Sequence, residues 1–343
     1  MRQTADPKSN PEVTDKVNGT HISWRVAVPS EVSTEYAGTR LGAYYTDAET
    51  MLHTQLTARA KFEELYGIAP IGVGADTPAY LGVAVLGAEL IFPEDDPPMV
   101  RGHPLQHAEE IDCLAIPCRY YETEAAAPYM RIYEQIRSEV RDQIHLGVGI
   151  EGPVTSAKLL RGQDFFMDLY DRPEAAHRLL DIVTESIIRF TRENRRIRGL
   201  SEEEGGTGIA DDFSGLISPE MYEEFVVPYH RRIYDAFGEA PRSLHSELLH
   251  REHLRYLAPL GVTHFDPGQD QYLTVRDIVE ATDVPFTANV YTVREMQQGT
   301  PATVEAAYRR AVEQGASSVM VELCRNTPPE NIRAFIDVAK EYE

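Results

Sequence analysis

The stretch VTHFDPGQDQYLTVRDIVEATDVPFTANV, residues 262–290, carries the pattern that decides the fold. Two short runs rich in Val, Phe and Thr, at 262–267 and 285–290, flank a longer amphipathic segment. An extended run, a helical segment and a second extended run make the repeating unit of a parallel sheet. Outward from this stretch the same alternation recurs, with further short apolar runs at 71–75, 88–93, 145–150, 207–212, 242–247 and 318–323. Eight runs, and no Gly-rich dinucleotide loop, predict an α/β fold of the closed (β/α)8 TIM-type barrel and not an open doubly wound sheet.

Helix punctuation fits these runs. Thr46-Asp47-Ala48-Glu49 reads as a capping box, with Leu52, Leu56 and Leu65 at helical spacing and Gly67 as the stop. Ser218-Pro219, Thr300-Pro301 and Thr327-Pro328 each place an oxygen-bearing cap before a proline at the first helical position, and Gly199, Gly299 and Gly315 stand where helices should end. The chain divides into an N-terminal extension, 1–45, whose first twenty residues read as a mobile tail or surface arm, and a barrel over 46–343.

Composition narrows the functional classes. A chain of 343 residues with 42% hydrophobic and 26% charged residues can bury a core, and it has no apolar run long enough to span a bilayer. The first twenty residues are polar and lack the apolar stretch of a secretory signal. Cys113, Cys118 and Cys324 are too few and scattered for a disulfide framework, which points to the reducing cytoplasm. A net charge of -22 without a basic stripe argues against nucleic acid.

Barrel enzymes work at the C-terminal ends of their strands. Those ends carry Asp76, Glu94 with Asp95, Glu151, Asp211 with Asp212, His245 with Glu247, Asp266, Asn289, and Glu322 with Cys324. Gathering so many carboxylates in a dry pocket is costly unless a cation or protons compensate them. His245 and Glu247, two apart on a strand, share one face, and Cys324 can close on them from the last strand. Nitrogen, oxygen and sulfur ligands with an open fourth position suit catalytic zinc. The alternative leaves His245 merely hydrogen-bonded and Cys324 a small buried hydrophobe.

Over residues 45–343 the chain resembles the uroporphyrinogen decarboxylase-like superfamily. The matching motifs begin with Gly152-Pro153, Leu160-Arg161-Gly162, Asp171-Arg172-Pro173-Glu174, Asp212 before Ser218-Pro219-Glu220, and Phe225 with Pro228-Tyr229. His245-Ser246-Glu247, Ala288-Asn289-Val290, Gly299-Thr300-Pro301 and Thr327-Pro328-Pro329-Glu330-Asn331-Ile332 continue them. Genuine decarboxylases carry an arginine-rich MRQAGRYLPEY segment; here that region reads Val26-Ala27-Val28-Pro29-Ser30, and only the first-strand aspartate is retained, as Asp76.

The resemblance therefore leans to the corrinoid-dependent methyltransferase branch, whose members bind zinc through an H-x-C pair and a later cysteine. His245 and Cys324 match, and Glu247 replaces the first cysteine. It implies Zn2+ or another divalent metal on His245, Glu247 and Cys324, with Asp266 as reserve ligand or orienting partner. Asp76, Asp212 and Asn289 position a small-molecule methyl donor or acceptor. Cobalamin would ride on a separate corrinoid protein, since no D-x-H-x-x-G motif occurs, and a homodimer is allowed. A carboxy-lyase acting on a tetrapyrrole or smaller acid, working without metal from Asp76, and a non-catalytic small-molecule-binding member are the alternatives.

Overall fold

A computed structural model describes residues 21–343 except 142 and 240, so the tail over the first twenty residues lies outside the described residues. Ten strands follow in chain order: β1 Ser23–Ala27, β2 Gly74–Ala75, β3 Glu89–Ile91, β4 Met99–Arg101, β5 His145–Leu146, β6 Thr207–Ala210, β7 Arg242–His245, β8 His264–Asp266, β9 Thr287–Val290 and β10 Ser318–Glu322. Eight of them run parallel with their neighbours, in three groups ordered β1-β10-β9, β2-β5 and β6-β7-β8. A bridge between Phe265 and Phe286 links β8 to the chain entering β9, and Gly152 N donates to Ala210 O at 2.5 Å beyond the end of β5. The architecture is α/β, with helices between successive parallel strands.

Two sequence expectations change. The run at 88–93 is not a member of the parallel set: β3 pairs antiparallel with β4, Leu90 opposite Val100, across the turn that contains Pro97 and Pro98. The missing parallel strand is β1, inside the segment assigned to an extension, and it pairs with β10 from the far end of the chain, Arg25 opposite Met320. Two helices, Ser30–Ala37 and Leu41–Thr46, follow it and pack on the long helix Ala48–Tyr66.

Local chemistry sets the helix ends. Asp47, not Thr46, caps the helix Ala48–Tyr66 by accepting from Thr50 N at 2.8 Å, and Gly67 ends it in the left-handed region. Ser218 and Thr300 cap Pro219–Phe225 and Pro301–Glu313 as expected. Thr327 instead turns back on Cys324, and the last helix starts one residue late, at Pro329–Lys340. The helix Pro173–Ile197 buries Ala176, Leu179, Leu180, Val183 and Phe190 at helical spacing, and each of the side chains larger than alanine contributes about 1.5–3 kcal/mol. Among the described residues no helix is long and apolar enough to cross a membrane.

Candidate active site

The carboxyl ends of β6 to β10 converge on His245. Its Nδ1 lies 3.2 Å from Asp266 Oδ2 at the end of β8, and its Nε2 lies 3.6 Å from Asp212 Oδ1 just after β6. Asp266 is itself fixed, because Oδ1 accepts from Asn289 Nδ2 at 3.0 Å and from Gly268 N at 2.9 Å. Glu247 joins through its main chain, whose N–H donates to Asp212 Oδ1 at 3.0 Å, and through Oε1, which accepts from Gln269 N at 2.9 Å. Gly268 makes this approach feasible: at φ 58 it turns left-handed, and a Cβ there would collide with the Glu247 carboxylate and stand 2.8 Å from His245 Cε1.

The electrostatics follow from this crowding. Burial works against a charged His245, but the hydrogen bond to Asp266 and the charges of Asp266, Asp212 and Glu247 outweigh it and push its pKa up to about 9. Asp266 goes the other way: burial raises it, yet the His245 contact and its amide donors hold it below the ordinary value. Glu151, after β5, is pushed up to about 8 by burial and by the charges of Asp212 and Asp211, so it carries a proton at neutral pH. Burial also raises Asp212 and Glu322, the latter with help from Glu31 and Glu247. Asn289 Oδ1 and Gln269 Nε2 are buried without a partner among the described residues, so both stand ready for a bound group.

Next to Asp212 stands a structural acid. Asp211 and His230 are fully buried and bonded at 2.8 Å, and Asp211 also accepts from Val154 N at 3.3 Å and Thr155 N at 2.7 Å in the first turn of the helix Pro153–Arg161. Its carboxylate thus fastens the end of β6 to two helices.

Asp76 belongs to a separate network at the end of β2. It accepts a short hydrogen bond from Tyr44, bonds His145 Nε2 at 2.7 Å, and receives Gln55 Nε2 at 3.3 Å. Burial, then the Asp76 charge, raises the Tyr44 phenol well above its ordinary range, so it donates. Cys324 Sγ lies 3.6 Å from Thr327 Oγ1. Sequence reasoning therefore named residues in both networks but missed Tyr44, Gln55 and His145, and it counted Glu151 only as a strand-end acid.

The donor set suits zinc by chemistry but not by arrangement. Both His245 nitrogens face carboxylates and Glu247 Oε1 is taken by an amide. Among the described residues no group of three or more His, Cys, Asp or Glu is placed to hold a metal ion.

Parallel strands delivering a half-buried imidazole, ionised and protonated carboxyls and an amide to one end define an α/β enzyme site. Comparison gives the family: the uroporphyrinogen decarboxylase (URO-D) profile matches residues 26–342, and the chain belongs to that family. Methylated-thiol–coenzyme M methyltransferase of Methanosarcina mazei is 25% identical over 281 residues, 79% of this chain and 73% of that protein. Uroporphyrinogen decarboxylase of Xanthomonas axonopodis pv. citri is 30% identical over 156 residues, which span 43% of this chain and 41% of the decarboxylase. A solved structure of a methyltransferase from Methanosarcina mazei is similar with a TM-score of 0.74 at 19% identity, covering 96% of this chain and 95% of that one, a likeness of fold. The match from residue 26 takes in β1, which the sequence reading had left outside the barrel.

Proposed function

We propose that this chain is a methyltransferase that moves a methyl group between a small thiol, or its methylated form, and a corrinoid carrier, and that its eight parallel strands close into a (β/α)8 barrel with the site at its mouth. The observation that carries this reading is His245, pushed up to about 9 and set between Asp266 and Asp212. A thiol is a poor nucleophile while protonated. Beside the imidazolium its thiolate is favoured, with Asp212 within reach to take the proton and Asp266 holding the ring. The thiolate sulfur then bonds the methyl carbon while the carrier keeps the electron pair of the broken bond; the reverse direction demethylates a small donor. Asn289 Oδ1 supplies the unsatisfied acceptor and Gln269 Nε2 the unsatisfied donor for orientation.

Zinc is the finer part of the proposal. His245, Glu247 and Cys324, with Asp266 in reserve, are the residues that would hold it, and a bound ion would take the place of the His245 proton and itself lower the thiol pKa. Their arrangement is not a preformed ligand set, and the steps above need only the chain's own groups. A relative named for methyl transfer to a thiol, matched over 79% of this chain, supports the reading. A carboxy-lyase is the second reading, favoured by the buried Tyr44–Asp76–His145 network.

The test incubates the purified chain with methylcobalamin and a panel of short thiols, follows the corrinoid spectrum and detects the methyl thioether, with metal content measured beforehand. Thiol-dependent demethylation lost in His245→Ala is expected. No transfer with any thiol, together with carbon dioxide release from a carboxylic substrate that depends on Asp76, sinks it in favour of the lyase.

A further inference from the structure

A seam runs through the parallel strands. Among the described residues β5 and β6 do not pair, and the bond from Gly152 N to Ala210 O joins their neighbourhoods only at the end nearest the site. Beside that bond opens a slot of about 240 Å3 between residues 148–152 and 207–210. Ile187 and Thr191 of the helix Pro173–Ile197 and Ile233 of the helix Val227–Asp235 close it from outside. The slot follows the whole of β6, roughly 13 Å at about 3.3 Å per residue, and runs from Gly208, which is exposed, to Glu151. Glu151 borders the site, where Asp212, Asp211, His245 and Tyr80 are the ionisable groups around it.

The lining suits water. Gly149 and Gly152 on one edge and Gly208 on the other contribute no side chain, so the backbone itself borders the space. Thr207 N donates to Pro241 O and Asp211 N to His245 O, which turns the odd positions of β6 toward β7 and the peptide groups of Gly208 and Ala210 toward the slot. On the other edge His145 N donates to Val73 O and Gly147 N to Ala75 O, so the peptide group of Val148 faces the slot in turn. Peptide groups on an unpaired strand edge are satisfied by water, and Thr191 and Thr207 add hydroxyls. A wholly apolar slot would stay dry, whereas a water needs two to four polar partners and roughly 30 Å3, which this slot supplies several times over.

We propose that this slot is a water-filled proton conduit, through which Glu151 passes the proton lost by the thiol to the opposite end of the strands while the carrier covers the mouth. This rests on the methyl-transfer reading and adds the route of its proton. Methyl transfer to a thiol breaks the S–H bond and the carrier–carbon bond, forms the S–C bond, leaves the electron pair on the carrier and releases one proton. A corrinoid seated over the mouth shuts out bulk water on that side, so the proton needs a second exit. Burial and the charges of Asp212 and Asp211 keep Glu151 protonated at neutral pH. Its carboxyl can therefore accept a proton on one oxygen as it gives one from the other to the slot water, without holding a net charge. Demethylation of a donor draws its proton in by the same path.

Stopped-flow turnover of the full chain with methylcobalamin and mercaptoethanol, in weakly buffered solution with a pH indicator, tests it. The corrinoid spectrum reads methyl transfer and the dye reads proton release, and in the parent the two should keep step. Thr191→Leu puts a bulkier apolar side chain into the slot from outside the site, and should lower proton release and kcat by about a hundredfold, as loss of a positioned proton-transfer group does, with the KM for thiol unchanged. Glu151→Gln should show the same split, and Glu151→Asp, which keeps an ionisable carboxyl, should recover part of the rate. Parent rates in Thr191→Leu or in Glu151→Gln overturn the conduit. Unfolding midpoints check the variants, and should Thr191→Leu not fold, a high-resolution crystal structure of the parent decides: ordered water from Gly208 to Glu151 supports the conduit, and a dry slot overturns it. The two failures stay distinguishable. Water along the slot without methyl transfer to any thiol removes only the methyl-transfer reading, whereas methyl transfer with parent proton release from the plugged slot removes only the conduit.

Discussion

Replacing Glu151 by glutamine tests the electrostatic description at its most perturbed carboxyl. Glu151 is lifted from 4.5 to about 8, first by burial and then by the charges of Asp212 and Asp211. In the unfolded chain this carboxyl loses its proton near 4.5, whereas the folded protein keeps it until about 8. Over that interval the native state binds the extra proton, so stability falls as pH rises, by about 1.4 kcal/mol per pH unit and about 5 kcal/mol across the whole interval at most. Glutamine keeps the shape and cannot ionise, so Glu151→Gln should be near neutral at pH 5 and progressively more stable than the parent toward pH 8. Urea unfolding of both proteins at each pH from 5 to 9 reads the difference directly. Parallel stability curves, with a constant gap between the two proteins, would refute the claim that Glu151 is protonated at neutral pH.

Three other perturbations address separate parts of the site. Asp266→Asn removes the partner that outweighs burial at His245, so its pKa should drop from about 9 toward or below the ordinary range, as NMR titration of the imidazole would show. Tyr44→Phe leaves Asp76 without its phenol donor and should cost about 1–3 kcal/mol in chemical denaturation, with no shift in the His245 titration. Gly268→Ala places a methyl against Glu247 and His245 at a left-handed position, and should cost about 1–3 kcal/mol and abolish methyl transfer; an active, equally stable variant would contradict the close packing at that turn.

Much of this architecture was legible in the sequence where the signal is local. β6, β9 and β10 fall inside the predicted apolar runs because β-branched residues occur there between turn residues, whereas β7, RSLH, lies inside its run without that signal. β1 escaped because its pairing is with β10, Arg25 to Met320, and no local pattern in SWRVA announces a partner almost the whole chain away. The run at 88–93 is extended, but whether a strand joins a parallel layer or folds into a hairpin depends on its partner, here β4. The same distinction governs the site. His245, Glu247, Asp212, Asp266 and Asn289 could be named because strand ends converge, and the structure brings them together. Asp76 sits instead with Tyr44, Gln55 and His145, whose roles arise from contacts across helix and strand that no spacing encodes.

The adjacency of Asp211 and Asp212 has a bearing on how this family member can diversify. One carboxylate is sunk in the interior, tied to His230 and to the opening turn of a helix; the next faces His245. Exchanging the first undoes three attachments at once, while exchanging the second changes, on the methyl-transfer proposal, only the group beside His245 on a mount that stays put. Neighbouring letters of the sequence therefore face opposite mutational regimes, one frozen by the scaffold and the other free to drift with the substrate. Saturation mutagenesis scored separately for abundance and for activity should split these two positions, with Asp211 depleted in both screens and Asp212 in the second alone.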